Sequence, residues 1–247
     1  NYLSRQNGRT RRVNETFCTD PDFLSLRNRF RAGGVFNFPF LFRDVGERIP
    51  MDWEALMTSP QRFEAVATDC LTGLPAYFSK DEVPREDFEL ACMASASMPA
   101  FSDMIRIRGV PYLDGGCADA IPWERALVVG CDRVVVVLTR ERSYRKEPEQ
   151  MMPLFRRVYR KYPAFLEDLR TRAERYNRCR EELFQLEREG RILVIAPEDT
   201  RGFSRTERDR KKILALWQDG FFAGLRAVGA VRDFWTGEAV PGETETM

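Results

Sequence analysis

"VPYLDGGCADAIPWERALVVGCDRVVVVLTR", residues 110–140, holds the order of elements that decides the fold. An apolar strand ends in Asp114 and two glycines follow at once. Pro122 then opens a short helix, Gly130 closes it, and "DRVVVVLTR" starts another strand. That strand is apolar without alternation, as is "RILVIAPE" (191–198), the pattern of parallel strands covered on both faces. Strand, helix and strand at this spacing predict a crossover α/β sheet. The Asp-Gly-Gly step reads either as ordinary turn punctuation or as a carboxylate that something must approach closely.

Working outward, "MIRIRGVPYLD" (104–114) predicts a hairpin turning at Arg108-Gly109. "RFEAVATD" (62–69) predicts a strand, and "LTGLPAYFS" (71–79) a turn into a second. Helices are expected from Arg85 to Ser97, stopped by Pro99, from Asp52 to Met57, and from Asp20 to Arg31 after the Asp20-Pro21 cap signal. The charged segment 141–190 reads as two helices split near Pro163, with Leu166, Leu169, Ala173 and Tyr176 on one face. A last helix, "TERDRKKILALWQDGFFAGLRAVG" (206–229), puts Ile213, Leu216, Trp217, Phe221 and Leu225 on one stripe.

The 247 residues are enough for one large α/β domain or two small ones, and with 43% hydrophobic and 31% charged residues the chain can build a sizeable core. A net charge of +1 gives no global attraction to nucleic acid. No apolar run approaches the roughly 18 to 20 residues of a membrane span. The six cysteines include no C-x-x-C pair and read as reduced, intracellular thiols with no zinc site. Neither G-x-G-x-x-G nor a Walker loop occurs, so nucleotide binding has no support. The most informative count is zero histidines. A Ser-His-Asp or Cys-His site cannot be built, nor a histidine-ligated metal site. Any general base must be a carboxylate, a lysine or a tyrosine.

The order "ATDCLTG" (67–73), "ASASMPAF" (94–101), "YLDGG" (112–116), "VVVVLTR" (134–140) resembles the patatin-like phospholipase family, and within it the bacterial intracellular branch. "IAPEDTRGFSRTERD" (195–209) is similar to that branch's C-terminal region. The resemblance implies an α/β fold, patatin-like, with a mainly parallel central sheet flanked by helices in three layers. It makes residues 1–235 a single domain with a helical insertion at about 141–190; the Gly-, Pro- and Glu-rich residues 236–247 read as a flexible tail. It also implies a serine–aspartate dyad without histidine. The family's Asp-Gly-Gly motif falls on Asp114, Gly115 and Gly116, making Asp114 the general base and the two glycines active-site backbone.

A carboxylate is a poor base at neutral pH until it is partly desolvated and hydrogen-bonded to the hydroxyl it must deprotonate. A strand end holds such a group rigidly, and glycines beside it add no Cβ to the pocket. The family's nucleophile sits in a G-x-S-x-G elbow, and no serine of this chain has those flanks. The resemblance places the elbow and a glycine-rich oxyanion loop upstream of Asn1, where Asn1-Tyr-Leu-Ser reads as the last turn of a helix already under way.

Other features carry two readings each. Phe36, Phe38, Phe40 and Phe42 alternate in "VFNFPFLF" and read first as core packing, second as an apolar wall for an acyl chain. On the second reading Phe38 and Phe40 are substrate-pocket candidates. Ser95 and Ser97 resemble the family's small-residue helix end, with Ser97 leaving room beside the pocket rather than reacting. Asp69 reads as a turn cap. Residues 140–180 hold thirteen Arg or Lys against six Asp or Glu, by default a solvated face and alternatively a peripheral membrane contact for anionic head groups.

The sequence thus points to a cytoplasmic lipid acyl hydrolase acting on a lipid or small ester, with no metal and no organic cofactor. The alternatives are a non-catalytic α/β binding or scaffold protein, and an acyltransferase on the same site.

Overall fold

Residues 2–17, 20–23, 25, 37, 40, 44–203 and 207–237 are described by the computed structural model. Through the first half the elements run α1 (Arg9–Phe17), α2 (Val45–Arg48), α3 (Trp53–Thr58), β1 (Glu64–Asp69), β2 (Pro75–Ser79), α4 (Arg85–Ala96), β3 (Ile105–Ile107) and β4 (Val110–Asp114). A 3-10 turn at Gly115–Cys117 leads into α5 (Trp123–Val128), β5 (Val134–Val137), α6 (Met152–Val158), α7 (Pro163–Arg188), β6 (Ile192–Ile195) and α8 (Arg210–Thr236). The chain divides into two compact units.

The first unit takes in Asn1–Ala120 and Glu147–Glu174, with Arg208–Arg210. Its sheet has the order β2-β1-β4-β3, antiparallel at every pairing. This corrects the expected mainly parallel central sheet. For β1 with β2 and β3 with β4 the reason lies in the connections. Five residues join β1 to β2 and two join β3 to β4, and a parallel return needs a dozen or more. In the tighter hairpin Arg108 (φ 49°) and Gly109 (φ 87°) both take the left-handed conformation that a two-residue turn of this hand requires. At the other, the Asp69 carboxylate accepts the Leu71 N–H at 2.7 Å, so Asp69 is a turn cap.

Among the described residues three apolar clusters hold this unit. Cys70, Leu113, Cys117, Phe155, Tyr159, Phe165 and Leu169 pack together beneath the end of β4. Leu56, Ala65, Phe88, Ala91 and Ile107 fill a second cluster. Phe17, Phe40 and Val45 form a third, small one. The Asp52 carboxylate caps α3 by accepting the Ala55 N–H at 2.8 Å. The sequence reading missed α1, whose Val13 and Phe17, four residues apart, both turn to the third cluster. The helix expected over 20–31 is a turn at 21–23; most of its remaining residues lie outside the described set.

The second unit comprises Ile121–Lys146, Arg175–Glu207 and Lys211–Met247. Here β5 and β6 do pair in parallel, Val134 opposite Ile192 through Val137 opposite Ile195. The helices of the 141–190 segment lie in the connection between them, divided at Pro163 as expected. Val134, Val136, Leu138, Leu183, Ile192 and Val194 form the core. Val137 is 70% exposed, so β5 is not covered on both faces. On α8 the apolar stripe forms a helix but none of its residues is fully buried.

Candidate functional site

Asp114 is the last residue of β4, opposite Ala67 of β1. Its N–H donates to the Ser97 carbonyl at 2.9 Å. Its own carbonyl accepts the Thr68 hydroxyl at 2.8 Å. Its carboxylate Oδ1 accepts the Gly116 N–H, also at 2.8 Å. Backbone and side chain are therefore fixed from three directions, while the side chain stays 22% exposed. Thr68 is fully buried, and its Oγ1 also accepts the Ala118 N–H at 3.1 Å. One hydroxyl thus ties the strand end to the turn that follows.

The two glycines answer to different neighbours. Neither has a positive φ, so backbone conformation is not the reason for them. A Cβ on Gly115 would lie 2.2 Å from the Val66 carbonyl oxygen, because the turn crosses directly against β1. A Cβ on Gly116 would lie 3.1 Å from Asp114 Oδ1 and 3.2 Å from Arg172 Nη2. Gly116 faces the carboxylate and Gly115 faces the sheet.

Arg172 was missed from sequence. It lies on α7, where Phe165 and Leu169 are fully buried in the cluster that contains Leu113 and Cys117. Three residues beyond Leu169, on the same helical face, Arg172 donates from Nε to the Gly116 carbonyl at 2.7 Å. Its Nη2 stands 3.8 Å from Asp114 Oδ2, and its side chain is 14% exposed. The available signal was its spacing from Phe165 and Leu169, hidden by reading 140–180 as a run of charge. Within that run Arg142 pairs with Glu187 and Arg145 with Glu181 through exposed arginine side chains, as on a solvated face, while Arg180 is buried and donates to the carbonyls of Glu141 and Arg142.

The remaining candidates are placed as follows. Ser97 is fully buried, and its hydroxyl donates to the Met93 carbonyl at 2.8 Å. Its carbonyl, not its hydroxyl, serves Asp114. Phe40 is buried, its ring edge-on to Phe17 with centroids 6.1 Å apart. Phe38 lies outside the described residues. Asp119, just beyond the 3-10 turn, is half-buried and accepts the Tyr77 hydroxyl at 2.6 Å.

The floor under the turn is apolar. Burial pushes the Tyr159 hydroxyl up to about 12 and raises the Cys70 thiol as well. Tyr159 Oη accepts the N–H of Ala100, a residue at φ 64°. Among the described residues no group of three or more Cys, Asp or Glu is placed to hold a metal ion, and no helix is long and apolar enough to cross a membrane. The arrangement is a fixed, partly exposed carboxylate with a guanidinium beside it.

Residues 16–127 match the family model of the patatin-like phospholipases. Residues 162–236 match a domain of unknown function, DUF6363. Over 142 residues the chain is 25% identical to the uncharacterized protein YjjU of Escherichia coli (strain K12), an alignment covering 56% of this chain and 39% of that protein. The chain therefore spans well under half the length of this curated relative.

Proposed function

We propose, taking the patatin-like match over residues 16–127 as the premise, that the full-length protein hydrolyses acyl esters of lipids through a serine–aspartate dyad in which Asp114 is the general base. The observation that carries the reading is the anchoring of Asp114. Ser97, Thr68 and Gly116 hold its backbone and Oδ1, and the side chain keeps a solvent-facing portion. A general base must be both fixed and reachable.

In the proposed reaction Asp114 accepts the proton of a serine hydroxyl as the serine oxygen attacks the ester carbonyl. The tetrahedral intermediate collapses, the alcohol leaves with that proton, and an acyl-enzyme remains. Asp114 then takes a proton from water, the hydroxide adds to the acyl carbonyl, and the fatty acid departs as the serine recovers its proton. The serine is supplied from outside residues 1–247, since no G-x-S-x-G lies within them.

Labelling the full-length protein with a serine-directed phosphonate, followed by peptide mapping, tests this. The expected adduct is a single serine within a G-x-S-x-G sequence outside residues 1–247, with ester hydrolysis abolished in step. An adduct on a serine of this chain, such as Ser97, or hydrolysis that survives labelling, would overturn the reading.

A further inference from the structure

The two family matches meet at one side chain. Asp114, Gly115 and Gly116 belong to the segment matched by the patatin-like model, whereas Arg172 belongs to the segment matched by DUF6363. We infer that Arg172 is a positioning residue for Asp114, so that the segment of unknown function completes the ester-hydrolysing site. This inference rests on the reading of Asp114 as the base.

The geometry supports it in three ways. First, the guanidinium engages both sides of the motif. Its Nε donates to the Gly116 carbonyl at 2.7 Å while Nη2 stands 3.8 Å from Asp114 Oδ2. Gly116 in turn donates its N–H to Asp114 Oδ1 at 2.8 Å. A planar fork held at its Nε orients the charge on its outer nitrogen, which a lysine ammonium on a flexible stem cannot do. Second, the helix that carries it is set rigidly. Phe165 and Leu169, seven and three residues before it, are fully buried against Leu113 and Cys117, which bracket the motif. Third, Gly116 leaves the room. A Cβ there would come within 3.2 Å of Arg172 Nη2.

Arg172 does not enter the chemical steps as acid, base or nucleophile. At 3.8 Å its Nη2 is beyond a direct hydrogen bond to Oδ2, so that oxygen is oriented by a nearby charge rather than saturated by a donor. Its loss should let the Gly116 turn and the carboxylate drift. A misplacement of about 1 Å at a catalytic group costs on the order of 100-fold in rate.

The test measures kcat, KM and thermal melting for the full-length protein with a soluble p-nitrophenyl ester. Arg172→Ala should melt close to wild type, keep its KM, and lose about 10- to 100-fold in kcat. Millimolar guanidinium should restore part of that loss, and should do nothing for Asp114→Asn. Arg172→Lys, which keeps the charge without the fork, should also fall in kcat by about tenfold, and it carries the test alone if the alanine variant does not fold. Full kcat in either folded variant overturns the inference. So does a rise in KM at constant kcat, or a loss that follows the unfolded fraction and ignores guanidinium. If Asp114→Asn stays active, the underlying reading of the base fails instead. If Asp114→Asn is inactive while Arg172→Ala is normal, only the role of Arg172 fails.

Discussion

Replacing Gly115 by alanine should damage the fold far more than the same change at Gly116, although the two residues are adjacent in one motif. At Gly115 the new methyl carbon would sit 2.2 Å from the Val66 carbonyl oxygen and 2.6 Å from its carbonyl carbon. Non-bonded heavy atoms settle at roughly 3.5 Å or more, so the overlap exceeds about 1 Å. Val66 cannot retreat easily. It lies within β1, which pairs with β2 on one side and β4 on the other. Overpacking against well-held atoms costs about 1–3 kcal/mol and sometimes more; a backbone obstacle places Gly115→Ala at about 3 kcal/mol or above. For a chain of this size that lowers the melting temperature by roughly 6–12 °C, at 2–4 °C per kcal/mol. At Gly116 the methyl would meet only the tips of Asp114 and Arg172, at 3.1 and 3.2 Å. Both side chains can yield a few tenths of an ångström, so the loss should stay within about 1 kcal/mol. Urea and thermal melts of the two variants against wild type decide it. Gly115→Ala melting with wild type, or Gly116→Ala as the more damaged protein, would refute the reasoning.

Thr68→Val removes the buried hydroxyl that binds the Asp114 carbonyl and the Ala118 N–H. It should lower stability by about 1–3 kcal/mol in urea melts, with Thr68→Ser restoring most of it. Phe40→Ala opens the cluster with Phe17 and Val45, so it should cost roughly 3–5 kcal/mol and leave chain-length preference in an ester series unchanged; a shift in preference without a loss of stability would put Phe40 in an acyl pocket. Glu141 accepts hydrogen bonds from the Thr200 hydroxyl and N–H, and the hydroxyl chiefly holds its carboxyl below the ordinary value. A depressed folded-state value stabilises the protein above the carboxylate range and stops doing so as pH falls through it. Glu141→Gln should therefore lose stability at pH 7 and show a flatter acid limb in melts taken from about pH 5 downward.

Local signals carried most of the elements. The turn at Arg108-Gly109, the short helix beginning at Asp52, the helix after Pro122 and the break at Pro163 each depend on a few neighbouring residues, and each stands close to where its residues placed it. The unbroken apolar runs pointed to the parallel pairing of β5 with β6, although Val137 shows that β5 is not covered on both faces as that pattern implied. The direction of the larger sheet was harder to read. Ala67 pairs with Asp114 across 46 intervening residues, and no local pattern records such a partner. For the site, Asp114 and the glycines were legible as a motif, but the reason for Gly115 was not. It is the Val66 carbonyl, which only the folded sheet brings near. Arg172 was obscured because charge composition averages a long segment, while its role depends on one helical face shared with Phe165 and Leu169.

The central claim is that Asp114 moves a proton, and Asp114→Asn in the full-length protein tests it most directly. Asparagine keeps the size of the side chain and an oxygen for the Gly116 N–H at Oδ1, so the fold should survive, but it cannot accept the serine proton. Steady-state hydrolysis of a fatty-acyl ester should fall by at least ~100-fold, as for a lost general base. Asp119→Asn, whose oxygen can still accept the Tyr77 hydroxyl, should remain active. An Asp114→Asn protein that melts and turns over like wild type would contradict the account.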